Sequence, residues 1–567
     1  MLTSIRKQPN QLLIEIVVLA ATSLPYFIHL GTSSLWDANE AFYAETPREM
    51  MESGNYLVPQ FNYQPRLQKP PLTYWVVLLS YRAFGVSELS VRIPGAAAAI
   101  GTVIFTFLIG RALFNRRAGL MAAVVLGTAL RVFILARRLP IDILLLFCLT
   151  GTAYFLVRAI QKNSRASWAL TYVFASLGFL TKGPVAWVFP VLTYLIWSLW
   201  NRRFSFTGTR PIMGTLILTM LVVPWYVAIY AGQGWTYIGS FFLRDNLARF
   251  ASESYGPARG PFYYVIAYLA DFFPWSLLSL FALGTLLAGR RGAVMKDLSY
   301  GLPLVWSGTV FLFFSLAKNK QEYYIAPMFP MMAVILSGVL ERTLLARPEV
   351  APDHTKPFWS WGFLAVAISL SALAVPLFLA IRSIIPGVPV VLHYAPSAVL
   401  LAASAALAWN VVRRRISRGF CALAFTIWLL IGFAASVYLP VVEPLRPVKE
   451  LCTVIGSRSK PGDQIGYYRA TVPSMVFYLR RPIFEEFDAN AMARRFQSAA
   501  RVFCILTERD YTQFVGERDL ILYILGRRPR LATQLRYLWN EESWSEQELI
   551  LVSNRPETGP MERRGVP

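Results

Sequence analysis

Pro70-Pro-Leu-Thr-Tyr-Trp-Val-Val-Leu-Leu-Ser-Tyr-Arg-Ala-Phe84 invites reading as a membrane span, and whether it is one decides the fold of the whole chain. It holds 15 residues and carries Arg82 near its end. A helix needs about 20 apolar residues to cross roughly 30 Å of hydrocarbon, so this run falls short. We read it as a re-entrant or interfacial helix. The loops around it argue the same way. Basic clusters stand at Arg6–Lys7, Arg111–Arg117, Arg158–Arg165, Arg202–Arg210, Arg290–Lys296, Arg342–Lys356 and Arg413–Arg418. With Pro70–Phe84 left out of the count, all of them fall on the cytoplasmic face, as the positive-inside rule asks. Counting it as a span inverts every later loop.

The membrane itself is the firmest reading. Hydrophobic residues make up 55% of the 567 and charged residues only 15%, with mean hydropathy +0.46. A soluble domain has nowhere to bury that much apolar surface. Runs such as Gln11–Leu30, Pro211–Tyr230 and Pro357–Ile381 are long enough to span. The first lacks a small-residue cleavage site and reads as a retained anchor. We expect about thirteen spans, with the N-terminus cytoplasmic. The outer segments are then Gly31–Arg92, the turn Arg137–Asp142, the turn near Lys182, Ala231–Pro261, Lys318–Tyr324, Arg382–Pro396 and the C-terminal region.

From about Val441 the composition becomes that of a soluble domain. Gln464–Tyr468, Pro482–Phe487, Arg501–Leu506 and Leu549–Val552 read as strands. Helical stretches Val448–Arg458, Met475–Arg480 and Ala491–Ala499 alternate with them. The expected organisation is a polytopic α-helical domain over 1–440, with interfacial helices in the outer loop 31–92, and a small α/β domain over 441–567.

A formal charge of +23 raises the question of nucleic acid. No basic stretch has the aromatic interleaving of a nucleic-acid platform, and positive loops plus anionic lipid headgroups account for the charge. Four cysteines and three histidines show no zinc spacing. We expect no metal and no cofactor.

The outward-facing polar residues form a pattern. Asp37 and Glu40 follow the first span, and Lys69 precedes Pro70-Pro71. Asp142 follows Arg137 and Arg138 at the head of an apolar run. Arg244, Arg249 and Arg259 share one segment, while Lys318, Lys320, Tyr323 and Tyr324 open another. Any one of these alone is as well explained by a solvated loop charge or a snorkelling lysine. Together they concentrate cations on the face that the topology rule depletes, beside carboxylates at span ends. Cations suit a phosphate, and carboxylates suit a base or an oxocarbenium-like centre. A lipid phosphate is the substrate this points to.

Four stretches carry a resemblance to a known family. They are Trp36–Pro59, Gln68-Lys-Pro-Pro-Leu72 with Tyr74-Trp75, Leu180-Thr-Lys-Gly-Pro184, and Lys320 through Tyr324 to Pro327. Asn246–Phe250 with Pro261–Tyr264 is a weaker fifth. In order and spacing they resemble the GT-C-fold transferases, particularly the bacterial lipid A aminoarabinose transferases and more distantly the protein O-mannosyltransferases. The resemblance implies an inner-membrane enzyme with a C-terminal periplasmic domain. It also implies transfer of a sugar from an undecaprenyl or other polyprenyl phosphate to a lipid A-like lipid, a polysaccharide or a protein, by inversion and without a metal. It puts Lys69, Arg249 and Tyr324 where the family holds the carrier phosphate. Asp142 falls on its second acidic position and Tyr43 on an active-site tyrosine. Apart from the resemblance, we expect Arg138 and Lys320 to be further substrate contacts.

The chain departs from the family at two places: Asn39-Glu40 stands where the family has an Asp-Glu pair, and Gln68 where it has a glutamate. Asparagine cannot be a base. The acidic role therefore shifts to Asp37 or Glu40, or is dispensable, and with Asp142 these are the catalytic candidates. Of them we expect Asp37 to take the acidic role and Glu40 to face inward, paired with a cation such as Arg48 or with backbone amides. Two other readings compete. A transporter or flippase would favour inverted repeats and ionisable residues at mid-span, and neither is evident. A degenerate core with a partner-binding C-terminal domain draws its support from Asn39 and Gln68.

Overall fold

The computed structural model describes residues 9–37, 39–66, 68–138, 140–248, 250, 259–288, 291–345, 355–384, 389–530 and 548–556. Among them, seven helices are long and apolar enough to cross a membrane, and three bent pairs raise the number to ten. Glu322–Thr343 is the pillar of the bundle, with 89% of its apolar window buried, whereas Phe358–Ser383 lies at the periphery with 28%. Every side chain from Phe329 to Leu340 is buried.

The bends have local causes. Pro211–Tyr230 reads as one run but divides into Pro211–Leu221 and Val223–Gln233, bent by 40°. Pro224 lies in the first turn of the second piece, where it has no N–H to continue the ladder from the first. Leu72–Phe84 is a helix of 13 residues, about 20 Å long, too short to span. It packs on the helix Asn39–Ser53, where the Tyr81 hydroxyl donates to the Ala44 carbonyl at 2.8 Å. Gly85, at φ 76°, ends it.

Past the last span, five strands form one sheet in the order Phe484–Glu486, Gln464–Tyr468, Val502–Thr507, Leu549–Ser553, Tyr523–Arg528. The first three run parallel and the last two pairings are antiparallel. Parallel neighbours require crossovers, which Ser474–Leu479 and Ala489–Phe496 supply. Side chains alternate between two apolar layers: Ile465, Phe503, Ile505 and Leu551 on one face, Cys504, Leu506, Ile550 and Val552 on the other. Tyr523–Arg528, which the sequence does not mark, is the mostly exposed edge strand.

The segment 31–92 is stitched to this C-terminal unit. Asn62 exchanges two hydrogen bonds with the Ile483 backbone, at 2.8 and 2.9 Å. The Leu35 amide donates to the Tyr478 hydroxyl and the Ser34 amide to Glu443, each at 2.7 Å. Lys449 pairs with Glu88 at 2.6 Å. Phe477 inserts into an apolar cluster with Leu35, Ala44, Val77, Tyr81 and Val91.

Candidate active site

A cavity of about 410 Å³ opens beside the first outer loop. Its polar lining is Lys69, Asp142, Lys182, Asp245, Asn246, Asn319, Tyr323 and Tyr324, and its remaining walls are largely apolar, with Val188, Leu247, Phe250 and Phe313 among them. Four different parts of the chain bring the charged groups together.

Lys69 stands just ahead of Pro71, the N-cap of the helix Leu72–Phe84. Its carbonyl accepts a hydrogen bond from the Tyr237 hydroxyl at 2.6 Å, which fixes the backbone. Its ammonium donates to the Gln68 carbonyl at 3.0 Å and to Asp245 at 3.2 Å. Asp245 comes from Ser240–Ala248, a π-helical stretch, a geometry found frequently at functional sites.

Asp142 lies in the first turn of Pro140–Lys162 and Lys182 in the last turn of Arg165–Lys182. Both positions favour the charge they carry, because a helix is positive at its start and negative at its end. The two groups form a close ion pair. Gly183 ends the lysine's helix at φ 91°, and a Cβ there would lie 2.6 Å from the Phe241 ring, so the turn requires glycine on both counts. The Lys182 ammonium also stands 4.9 Å from the Tyr324 ring centre and 5.4 Å from that of Tyr323. The cavity thus presents two lysines, each beside a carboxylate. Side-chain exposure is 14% and 8% for Lys69–Asp245, and 19% and 9% for Lys182–Asp142. Such groups are dry enough to act strongly on a bound charge and open enough to meet one.

Tyr43 sits behind this wall, buried and stacked on Tyr74 with ring centres 5.7 Å apart. Burial pushes its hydroxyl well above the usual tyrosine range.

Four of the expected site residues stand outside the lining of this cavity. Asp37 does not line the cavity. Its carboxylate accepts a hydrogen bond from the Ser474 amide at 3.0 Å, across the seam with the C-terminal unit. Burial raises its pKa, while the bonds to Ser474 pull it back. Glu40 does face inward, but its cation is Arg92 rather than Arg48: Arg92 grips it at 2.6 and 2.9 Å, and Glu40 also accepts the Trp36 amide at 2.8 Å. Arg48 is taken up by Glu45 and Glu52. Arg138 lies over the Trp36 ring, 3.2 Å from its centre, on the same seam. The Lys320 ammonium turns back to the Ala317 carbonyl at 2.7 Å, buried outside the lining. Arg249 lies outside the described residues.

Sequence reading missed Asp245, which looks like a solvated charge in Leu243-Arg-Asp-Asn-Leu247, and named Lys182 only as a turn and within the family-like stretch Leu180–Pro184. The signal available for Asp245 was its place next to Asn246–Phe250, a stretch already singled out. Among the described residues, no group of three or more His, Cys, Asp or Glu side chains is placed to hold a metal ion.

Residues 68–227, which include Lys69, Asp142 and Lys182, match the family model described as dolichyl-phosphate-mannose-protein mannosyltransferase. A protein of Aquifex aeolicus (strain VF5) is 28% identical over 82% of this chain and 87% of its own length. The undecaprenyl phosphate-alpha-4-amino-4-deoxy-L-arabinose arabinosyl transferase of Erwinia tasmaniensis is 30% identical over 69% of each chain. In fold, the crystal structure of ArnT from Cupriavidus metallidurans bound to undecaprenyl phosphate superimposes with a TM-score of 0.74. That match covers 96% of this chain and 99% of the other at 18% identity.

Proposed function

Because the chain belongs to the family of undecaprenyl phosphate-aminoarabinose arabinosyl transferases, and so is a multi-pass membrane glycosyltransferase, we propose that it takes a sugar from undecaprenyl phosphate or a similar polyprenyl phosphate in the cavity at Lys69. One observation carries this reading: two lysines and Tyr324 line a cavity whose other walls are largely apolar. A phosphate with a lipid tail suits both kinds of lining.

In this mechanism an acceptor oxygen attacks the anomeric carbon from the face opposite the phosphate, and the phosphate leaves, inverting the centre in one displacement. Lys69 and Arg249 balance the charge that develops on the leaving phosphate, and Tyr324 donates a hydrogen bond. Phosphate is a good leaving group, so neither a general acid nor a metal is assigned. Asp142, the family's second acidic position, takes the carboxylate role in place of Asp37. A hydroxyl acceptor gives it a proton; an acceptor phosphate, already anionic, needs chiefly to be positioned. The acceptor is a lipid A-like lipid, a polysaccharide or a protein.

The cavity faces the periplasm in this reading. Adding the helices Gln11–Tyr26, Val185–Trp200 and Arg165–Lys182 to the ten candidate spans gives about thirteen crossings, with the N-terminus cytoplasmic and the C-terminal sheet periplasmic.

Replacing Lys69 by alanine tests the assignment. Loss of one such charge contact costs on the order of 2–4 kcal/mol in the transition state, so turnover of a purified polyprenyl-phosphate sugar should all but vanish while the thermal unfolding profile stays the same. Near-normal turnover would remove the phosphate from this cavity.

A further inference from the structure

Asp245 stands in a place that phosphate binding alone does not explain. A site built only to hold an anion gains nothing from a carboxylate 3.2 Å from its lysine. Yet this carboxylate is nearly buried, at 8% exposure, and lines the same cavity as Lys69. Lys182 has its own carboxylate in Asp142. Among the described lining residues the two cations and two carboxylates balance.

That balance acts on the charge change within the reaction. As the acceptor oxygen bonds to the anomeric carbon, the carbon–oxygen bond to phosphate breaks and its electron pair stays on the phosphate oxygen. The carrier enters as a phosphodiester with a single negative charge and leaves as a monoester carrying about −1.5 to −2 at neutral pH. The charge it gains is matched on the acceptor: a hydroxyl gives up a proton, or an acceptor phosphate monoester becomes a diester. Cations that stabilise the departing phosphate therefore also hold the product more tightly than the substrate. A carboxylate beside them, in partly dry surroundings, repels the doubly charged product about twice as strongly as the singly charged donor.

We propose that Asp245 discriminates between donor and spent carrier. Paired with Lys69, it lets the singly charged phosphodiester in and drives the monoester product out, so that the lysine can assist bond breaking without trapping what it helped to form. The proposal rests on the assignment of the donor phosphate to this cavity. Asp245 makes no bond to the reacting atoms in this role; it sets the charge that Lys69 presents.

The test compares two probes on purified full-length protein: undecaprenyl phosphate, and its methyl diester as a singly charged mimic of the donor. With Asp245→Asn, the monoester should bind about tenfold more tightly or better and the diester by a clearly smaller factor. Steady-state kcat and KM should fall together, with a first turnover that stays fast, the pattern of slow product release. Asp245→Glu, which keeps the charge, should restore the wild-type ratio of the two affinities. The proposal is overturned if Asp245→Asn weakens both probes, since the aspartate then merely seats Lys69, or if it tightens both equally. The donor assignment fails separately: Lys69→Ala would then bind both probes as the wild type does.

Discussion

Arg92 and Lys69 each meet a carboxylate, and the two meetings differ in what they leave over. Arg92 has 2% of its side chain exposed and Glu40 none. Beyond gripping both oxygens of Glu40, its guanidinium donates to the carbonyls of Leu30, Ser33 and Ser34 and to the Ser33 hydroxyl. These bonds engage its nitrogens on every side, and a planar fork with fixed donors suits a permanent joint. Lys69 and Lys182 are compact charges on flexible stems beside a cavity, suited to exchanging partners. Charge and burial alone do not separate structural from functional pairs; whether the cation also faces open space does.

The sharpest break in this comparison would come from Arg92. Removing one partner of a buried pair costs about 3–5 kcal/mol, so Arg92→Met or Glu40→Ala should lower the thermal midpoint steeply and cut the yield of folded protein. An Arg92 variant that unfolds normally but does not turn over would move this pair to the functional side. Next in size, Asp142→Asn should reduce kcat by about a hundredfold, within the range for positioned proton-transfer groups, with little change in thermal midpoint. Wild-type turnover would show that Asp142 only braces Lys182.

Glu49 sharpens the structural side through pH. Burial, and then the neighbouring Glu45, raise its pKa from 4.5 to about 8. The folded state therefore holds a proton that the unfolded chain releases above 4.5. The stability this contributes is present below pH 4.5 and is lost as pH rises towards 8. The thermal midpoint should decline across that window, and Glu49→Gln should flatten the decline; an equal slope in the variant would assign it to other groups. The smallest effect belongs to Asp37→Asn. It keeps an acceptor for the Ser474 amide and should cost about 1 kcal/mol with unchanged kcat. A large loss of turnover would return Asp37 to the chemistry.

Particular residues show where the sequence was legible. Arg82 and a length of 15 residues set Pro70–Phe84 apart from the longer runs, and the helix that forms there holds 13 residues; length and charge are local properties. The helix Val448–Arg458 and the strand Gln464–Tyr468 stand where the sequence marks them. The break at Val222 was hidden because composition treats a bent run like a straight one. Arg92 and Glu40, 52 residues apart, could not be paired by reading along the chain, so Arg48, on Glu40's own helix, looked the better partner. Asp245 was hidden for a similar reason: its lysine is 176 residues away. Asp37 shows the opposite case. Its place beside Asn39 suggested chemistry, but its environment is set by Ser474 at a separation of 437 residues.

The seam that holds Asp37 also has a consequence for biosynthesis. The partners of Ser34, Leu35, Asp37 and Asn62 lie 409 to 443 residues further along the chain. At about 5–20 residues per second, the ribosome takes roughly 20 to 90 seconds to make that interval. All that time the stretch from Ser34 to Asn62 lacks the surface it packs on. It reaches its final shape only when the C-terminal unit arrives. A stretch made early is thus completed late, and a ribosome that stalls before Glu443 leaves the bundle unfinished at its mouth.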